Sequence, residues 1–146
     1  MRNEKKPFRA DHVGSLLRPK AIHEARAKKA KSEITAAQLK EVEDREIERV
    51  IRKQEEVGLK AITDGEFRRS WWHLDFLWGL DGAEKHVMDT GIKFAAVNTR
   101  NEGVQVTGKL GMSGPHAMVE HFKFVAAHTR QTPKITIPAP SAMYGR

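Results

Sequence analysis

Two short polar segments contain residue types that could bind the two ends of an amino acid. Glu66 follows the turn Asp64-Gly65, and a carboxylate displayed there, beside exposed backbone, is well placed to bind an ammonium group. Ser15 follows Gly14, and small residues allow backbone amides to approach an anion such as a carboxylate. Together the two segments could bind a zwitterionic amino acid, so their combination indicates an amino-acid site more strongly than either segment does alone.

Each half of this candidate site also has a plainer interpretation. Glu66 could be a surface carboxylate paired with Arg68 or Arg69, an arrangement that usually contributes little to stability. Ser15 could be an ordinary loop serine, because serine is common in turns. The residues alone leave these alternatives open.

The elements that must position these residues alternate between strand and helix. The pattern of apolar and turn residues predicts strands over residues 9–17, 59–63, 104–112 and 134–137. It predicts helices over residues 20–31, 35–58 and 113–129, and a short helix within residues 67–82. Residues 92–110 are expected to form a hairpin or an extended insertion that ends in the third strand. Such alternation indicates a parallel sheet covered by helices.

The helix over residues 35–58 has the clearest signals. Thr35 and Gln38 have the spacing of a capping box, and Gly58 is a typical helix C-terminal residue. Several helices are expected to bury one apolar face. The residues expected to face the core are Leu39, Val42, Ile47, Val50, Ile51 and Val57 in this helix and Met118, Val119, Phe122 and Val125 in the last helix. In the last helix, Pro115 lies near the first helical position. In the short helix, Trp72, Phe76 and Leu80 are expected to share one face.

Two architectures fit the strand and helix order: an open doubly wound sheet and a (β/α)8 barrel. No Gly-rich phosphate-binding fingerprint follows any predicted strand, which favours the barrel. A barrel needs about 250 residues, so the 146 residues supply about the first half, as a single partial domain over residues 1–146. The other half would come from a longer chain or from a partner copy. Polar residues gather where the predicted strands end: His12, Ser15 and Arg18, then Asp64, Glu66 and Arg68, then Ser113 and His116, and finally Ser141.

Composition excludes several classes of site. The sequence has no cysteine, which excludes disulfides, thiolate nucleophiles and sulfur-rich zinc sites. Its seven histidines lack metal-binding spacing, so no metal site is predicted within the chain. The cluster Trp71, Trp72, Phe76 and Trp78 is interpreted as core or as a lid at a barrel mouth, in preference to a cofactor-binding surface.

Charge and hydropathy bear on partners and location. A net charge of +7 could indicate nucleic-acid binding, but the basic residues concentrate over residues 2–9 and 26–31 without interleaved aromatic residues. Solvated helix ends explain them more simply. Neither a membrane span nor a secretory signal is evident, so we expect a cytoplasmic protein.

Three segments carry a resemblance to a known family. FRADHVGSLLRP near the start, GLKAITDGEFRRSWWHLDF in the middle and TIPAPSAMY near the end resemble cobalamin-independent methionine synthase, especially its short single-barrel members. The resemblance implies a TIM-barrel methyltransferase of methionine biosynthesis, which transfers a methyl group from 5-methyltetrahydropteroyltriglutamate to homocysteine. It implies homocysteine or a related thiol amino acid as the small-molecule partner, and a methylated tetrahydrofolate as the donor.

The resemblance also assigns roles to individual residues. Val13, Gly14 and Ser15 are similar to the family's segment that holds the homocysteine carboxylate, and Glu66 resembles the glutamate that binds the amine. With the neighbouring strand-end residues His12 and Asp64, these form the expected substrate-binding set. Residues 111–115 resemble a family strand end with its loop, and residues 138–144 the segment that leads to the folate site.

The sequence departs from the family in one chemical respect. The family activates the homocysteine sulfur on zinc held by one His, two Cys and one Glu from later strands, and none of that set is matched here. The chain alone is therefore not expected to catalyse methyl transfer. The alternatives are a truncated, non-catalytic module for amino-acid binding or protein interaction and, last, a nucleic-acid-binding protein.

Overall fold

The computed structural model describes residues 11–89, 91 and 99–143. The α/β fold contains, in chain order, α1 (Lys20–Ala30), α2 (Ala36–Glu56), β1 (Ala61–Ile62), α3 (Leu74–Leu77), β2 (Asp81–Val87), β3 (Glu102–Gly111), α4 (Ala117–His128), β4 (Thr132–Pro133) and a 3-10 helix (Pro140–Met143). The chain divides into two compact units. The first comprises the described residues of Met1–Arg68 and Glu120–Thr136, and the second those of Arg69–Val119 and Ile137–Arg146. The interpretation of residues 1–146 as one partial domain stays a prediction.

Helices α1 and α2 confirm the helices predicted over residues 20–31 and 35–58. At the start of α2 the Gln38 backbone N–H donates to Thr35 Oγ1 at 3.1 Å, and the Thr35 N–H donates to Gln38 Oε1 at 2.8 Å. This is the complete predicted capping box. The helix ends at Glu56, and Gly58 follows with a left-handed φ of 87°, as expected of a glycine after a helix C-terminus.

The core of the first unit gathers apolar residues from helices and strands. Its fully buried members are Ile22, Ile47, Ile51, Ile62, Phe67 and Val125. Burial of each such side chain stabilises the fold by roughly 1.5–3 kcal/mol. Leu39, Val42 and Val50 of the predicted α2 stripe are partly buried, whereas Val57 is exposed because it lies beyond the last turn of α2. The apolar periodicity therefore predicted the buried face of α2 correctly but wrongly included Val57 in it.

Strands β1 and β4 pair in parallel, which confirms the prediction of parallel pairing. Ala61 is opposite Thr132 and Ile62 is opposite Pro133. The Lys134 N–H then donates to the Ile62 carbonyl at 2.8 Å. The predicted strand over residues 134–137 was therefore wrong in position, because pairing with β1 occurs two residues earlier.

Of the two other predicted strands, the first is absent from the described residues, and the third exists outside the parallel sheet. Residues 11–17 are not a strand, although the Leu16 N–H donates to the Gly65 carbonyl at 3.1 Å; residues 9 and 10 lie outside the described residues. The third predicted strand exists as β3 but is antiparallel to β2, so it belongs to a hairpin and not to the parallel sheet. The hairpin's first strand begins at Asp81, before the predicted range, and residues 92–98 of that range also lie outside the described residues.

The other two helices match the prediction only in part. In α3 the buried residues are Leu74 and Leu77, while Trp72 is exposed. Helix α4 begins at Ala117, so Pro115 precedes it. Of the residues expected inside α4, Met118 and Val125 are buried, whereas Val119 and Phe122 are exposed.

The described part of the chain includes an α/β arrangement with one parallel strand pair, and no closed barrel is formed within it. None of its helices combines the length and hydropathy required to cross a membrane.

Candidate functional site

The turn that follows β1 is built from two successive side-chain to backbone hydrogen bonds. Thr63 Oγ1 accepts from the Gly65 N–H, and Asp64 Oδ1 accepts from the Glu66 N–H, both at 2.9 Å. These are the local bonds by which Thr and Asp stabilise turns. Asp64 is 2% exposed and Glu66 is 5% exposed. Two acidic residues, separated by Gly65, are thus held in a buried turn that follows β1.

Glu66 has an unusual backbone conformation. Its φ is 58° and that of Gly65 is 63°, so both residues are left-handed. Such a conformation is unfavourable for a residue with a side chain and persists only where its surroundings enforce it. The Arg18 Nη2 donates to the Glu66 carbonyl at 3.0 Å, and Thr136 Oγ1 donates to Glu66 Oε1 at 2.7 Å. The backbone and the carboxylate of Glu66 are therefore both held by side chains from distant parts of the first unit.

The interpretation of Glu66 as a surface carboxylate is wrong, because its side chain is buried. Arg68, one of its proposed partners, instead contacts Asp44 at 2.5 Å and Glu43 at 3.7 Å, both on α2. Burial raises the pKa of the Glu43 carboxyl, although the positive charges of Arg26 and Arg68 partly oppose this effect.

The first candidate segment lies directly beside this turn. The hydrogen bond from Leu16 to the Gly65 carbonyl joins the residue after Ser15 to the residue before Glu66. Gly14 has a φ of 87°, which explains the need for glycine there. Val13 is 81% exposed and Ser15 is also exposed. The backbone of the predicted carboxylate-binding segment is thus next to the Glu66 turn, with its side chains toward the surface.

His12 and Lys134 hold the start of this segment. A ring nitrogen of His12, Nε2, lies 2.8 Å from the Gly14 carbonyl oxygen. The Lys134 ammonium donates to the His12 carbonyl and to the Asp11 carboxylate. The hydrogen bond from Lys134 holds the pKa of the Asp11 carboxyl below its usual range. The contact of His12 is therefore with its own loop.

One oxygen of the Asp64 carboxylate lacks a partner within the part of the chain that the structure describes. Its Oδ2 is buried and has no hydrogen-bond partner among the described residues. Buried polar atoms normally have a partner, so an orphaned carboxylate oxygen requires an explanation. Its position in the same turn as Glu66 makes this atom relevant to ligand binding.

The later strand-end residues have structural contacts within the second unit. The N–H and Oγ of Ser113 donate to the Asp81 carboxylate at 2.7 and 2.9 Å. His116 is buried, with Nε2 at 2.9 Å from the Phe76 carbonyl, and its Nδ1 accepts from the Met118 N–H at 3.1 Å. Both ring nitrogens of His116 are thereby occupied. Ser141 lies exposed in the 3-10 helix.

The tryptophan cluster contacts the hairpin of the second unit. The Trp71 indole N–H donates to Glu102 Oε2 at 2.6 Å, and the Trp78 indole N–H donates to the Gly103 carbonyl at 2.9 Å. Trp72 is exposed and the other two indoles are half-buried. Trp72 is therefore not part of a core, and the interpretation of the cluster as core or as a lid at a barrel mouth stays a prediction for the other rings.

The residues of the chain do not fit the zinc site of the resembling family. The full sequence contains no cysteine, and the described residues include no group of three or more His, Asp or Glu side chains suited to a metal ion. A zinc site of that composition cannot be assembled from this chain's residues alone.

Sequence reasoning missed Thr136 as a contact of Glu66. The two residues are 70 positions apart, and no local motif relates them. The parallel pairing of β1 with β4 brings the segments that follow the two strands together.

Comparison with known proteins identifies the family. The model of the family described as "Cobalamin-independent synthase, Catalytic domain" matches residues 8–121. YxjH of Bacillus subtilis (strain 168), itself uncharacterized, is 48% identical over 143 residues, which cover 98% of this chain and 38% of YxjH. A 5-methyltetrahydropteroyltriglutamate–homocysteine methyltransferase of Bifidobacterium longum subsp. infantis is 43% identical over 58 residues, 40% of this chain and 8% of that enzyme.

A solved structure gives the same result. The crystal structure of a candidate vitamin-B12-independent methionine synthase from Listeria monocytogenes matches with a TM-score of 0.76 and 43% identity, over 95% of this chain and 38% of that one. The chain thus spans less than half the length of the relatives that match it throughout. It belongs to the cobalamin-independent synthase catalytic-domain family, the family of vitamin-B12-independent methionine synthase.

Proposed function

We propose that this chain provides the amino-acid-binding part of a methyltransferase that resembles 5-methyltetrahydropteroyltriglutamate–homocysteine methyltransferase. The segment Val13 to Ser15 binds the carboxylate of homocysteine or a related thiol amino acid, and Glu66 binds its ammonium group. His12 and Asp64 complete the site. A methylated tetrahydrofolate is the methyl donor, and the rest of a TIM barrel comes from a longer chain or from a partner copy.

The observation that carries this proposal is the buried Glu66 turn beside the Gly14 segment, joined by the bond between Leu16 and Gly65. A carboxylate in a site removed from water interacts more strongly with an ammonium group than an exposed one. The unsatisfied Oδ2 of Asp64, two positions away, supplies a further acceptor for such a cation. Backbone amides around Gly14 are suited to the opposite charge of the ligand.

The homocysteine sulfur requires separate chemistry. In the resembling family a zinc ion activates this sulfur, and the residues of this chain do not fit the zinc site. The role of this chain is therefore to bind and orient the amino-acid end of the substrate.

Calorimetry with methionine and with its des-amino analogue, 4-(methylthio)butanoate, tests the site. We expect the wild type to prefer methionine and Glu66→Gln to lose most of that preference. The loss should be at least about tenfold, since hydrogen bonds to charged groups contribute roughly 1.5–3 kcal/mol. Glu41→Gln is the matched control, because Glu41 is an exposed carboxylate on α2.

Equal affinity of the wild type for methionine and for its analogue would refute the amine-binding role. A second candidate, a non-catalytic amino-acid-binding module, is favoured by the missing cysteine ligands. The two candidates differ in zinc dependence. A module binds homocysteine equally with and without added zinc, whereas an assembled enzyme, with the rest of the barrel, requires zinc to recognise the thiol.

A further inference from the structure

Within the described residues, the side chains of Asp64, Arg18 and Thr136 contact Glu66 at different points. Asp64 Oδ1 accepts from its N–H at 2.9 Å, Arg18 Nη2 donates to its carbonyl at 3.0 Å, and Thr136 Oγ1 donates to its Oε1 at 2.7 Å. The first two contacts fix the left-handed backbone, whose φ is 58°. The contact from Thr136 acts on the carboxylate itself.

Thr136 reaches Glu66 because of the strand pairing. Ile62 is opposite Pro133, and the Lys134 N–H continues the pairing to the Ile62 carbonyl at 2.8 Å. Parallel strands place the segments that follow them at the same edge of a sheet. The residues three positions after Pro133 and four positions after Ile62 thereby come into contact.

When a ligand must order a flexible side chain in order to bind its carboxylate, the lost conformational entropy reduces the affinity. A neutral hydroxyl that donates to one of its oxygens restricts the rotation of the group without neutralising its charge. Arginine at the same place would compete with a cationic ligand, whereas threonine does not. The contact is thus suited to orient Glu66 while preserving its attraction for an ammonium group.

We propose that Thr136 is a positioning residue that orients the Glu66 carboxylate toward the amine of the amino-acid ligand. This inference rests on the proposed function, since it assumes that Glu66 binds an amine. It adds a residue after β4 to a site otherwise built from the segments around Gly14 and Gly65.

The test compares Thr136→Val, which removes the hydroxyl at nearly constant shape, with Thr136→Ser, which retains it. Calorimetry gives the affinity of each variant for methionine and for 4-(methylthio)butanoate. We expect Thr136→Val to reduce the preference for methionine by about three- to tenfold, the effect of one lost hydrogen bond. Thr136→Ser should retain the wild-type preference. A general loss of folding would weaken the binding of both ligands equally and leave the ratio of their affinities unchanged.

The outcomes separate this inference from the proposed function. If Glu66→Gln reduces the preference for methionine and Thr136→Val does not, the positioning role is overturned and the proposed function stands. If the wild type has no preference for the amine, both are overturned. Should Thr136→Val unfold, the ratio measured with Thr136→Ala and its recovery in Thr136→Ser decide the matter by the same criterion.

Discussion

The side chain of Gln54 forms two hydrogen bonds with the backbone of Thr63. Its Nε2 donates to the Thr63 carbonyl at 2.8 Å, and its Oε1 accepts from the Thr63 N–H at 3.0 Å. Gln54 lies near the end of α2, and Thr63 directly follows β1. The buried Gln54 amide thus bonds both backbone groups of Thr63, as a neighbouring strand would, at the residue where the Glu66 turn begins. These bonds join the turn to α2.

We predict that Gln54→Leu destabilises the fold by about 1–3 kcal/mol for each of the two backbone groups that lose their partner, because buried donors and acceptors without partners are costly. The free energy of unfolding in urea, followed by circular dichroism, measures the effect. Glu41→Ala on the exposed face of the same helix is the control and should change stability by less than about 0.5 kcal/mol. An equal effect of the two substitutions would show that the Gln54 contacts contribute nothing beyond helix propensity.

Local signals predicted those parts of the fold that local chemistry determines. The capping box at Thr35 and the glycine after α2 depend on residues within one turn of the helix end, so the sequence was sufficient for both. The same is true of the Asp64-Gly65 turn. The burial of Glu66 depends on how distant segments pack, and its interpretation as a surface residue was therefore wrong.

Other features depend on contacts between distant residues. The sequence predicted β3 at the end of a hairpin or an extended insertion over residues 92–110, but it did not place the partner strand β2 at Asp81–Val87, because a strand pattern does not specify which strand lies beside it. Glutamine is a polar residue typical of exposed helix positions, yet Gln54 is buried and its amide bonds to Thr63. For the proposed site, the sequence pointed to Glu66 but gave no signal for its contact with Thr136, which follows from the pairing of β1 with β4.

We predict that Thr35→Ala destabilises the first unit by about 1 kcal/mol, because the Gln38 N–H loses its capping acceptor. Thr35→Ser should retain most of the stability, since its hydroxyl can accept the same bond. Thermal unfolding followed by circular dichroism distinguishes the two variants. Equal melting temperatures for Thr35→Ala and the wild type would contradict an energetic role for the cap.

Two left-handed glycines allow strain and crowding to be separated. Gly58 has a φ of 87°, and apart from its two chain neighbours no described residue has a heavy atom within 4 Å of the position that a Cβ would occupy. Gly65 has a φ of 63°, and a Cβ there would lie 3.0 Å from the Phe67 ring and 3.2 Å from Leu16 Cβ. We expect Gly58→Ala to cost about 1 kcal/mol from backbone strain alone. Gly65→Ala should cost a further 1–3 kcal/mol or so from overpacking.

Urea unfolding of both alanine variants gives this difference directly. Gly65→Ala should also weaken the binding of methionine, because Gly65 precedes Glu66 and its carbonyl accepts from Leu16. Gly58→Ala should leave that binding unchanged. If both variants lose the same stability, the contacts with Phe67 and Leu16 do not restrict residue 65.

The pH dependence of one ion pair in the second unit can be observed at a single indole. Hydrogen bonds from Lys85 and from the Trp71 indole hold the pKa of the Glu102 carboxyl below its usual range, and the charge of Arg100 adds to the effect. Because this pKa is lower in the folded state than in the unfolded chain, the contacts stabilise the fold above the ordinary glutamate pKa of about 4.3. That stabilisation is lost as the pH falls through the lower, folded-state value.

We predict that the Trp71 indole N–H resonance shifts in an acid titration with a midpoint below the ordinary glutamate value, since its acceptor is Glu102 Oε2 at 2.6 Å. The Trp78 indole donates to the Gly103 carbonyl and is the internal control, because a carbonyl does not titrate in this range. Lys85→Met should move the midpoint upward, and Glu102→Gln should abolish the shift. If the Trp71 resonance still titrates in Glu102→Gln, another group causes the shift. A wild-type midpoint at or above the ordinary glutamate pKa would mean that Lys85 and Trp71 do not favour the ionised Glu102 carboxylate.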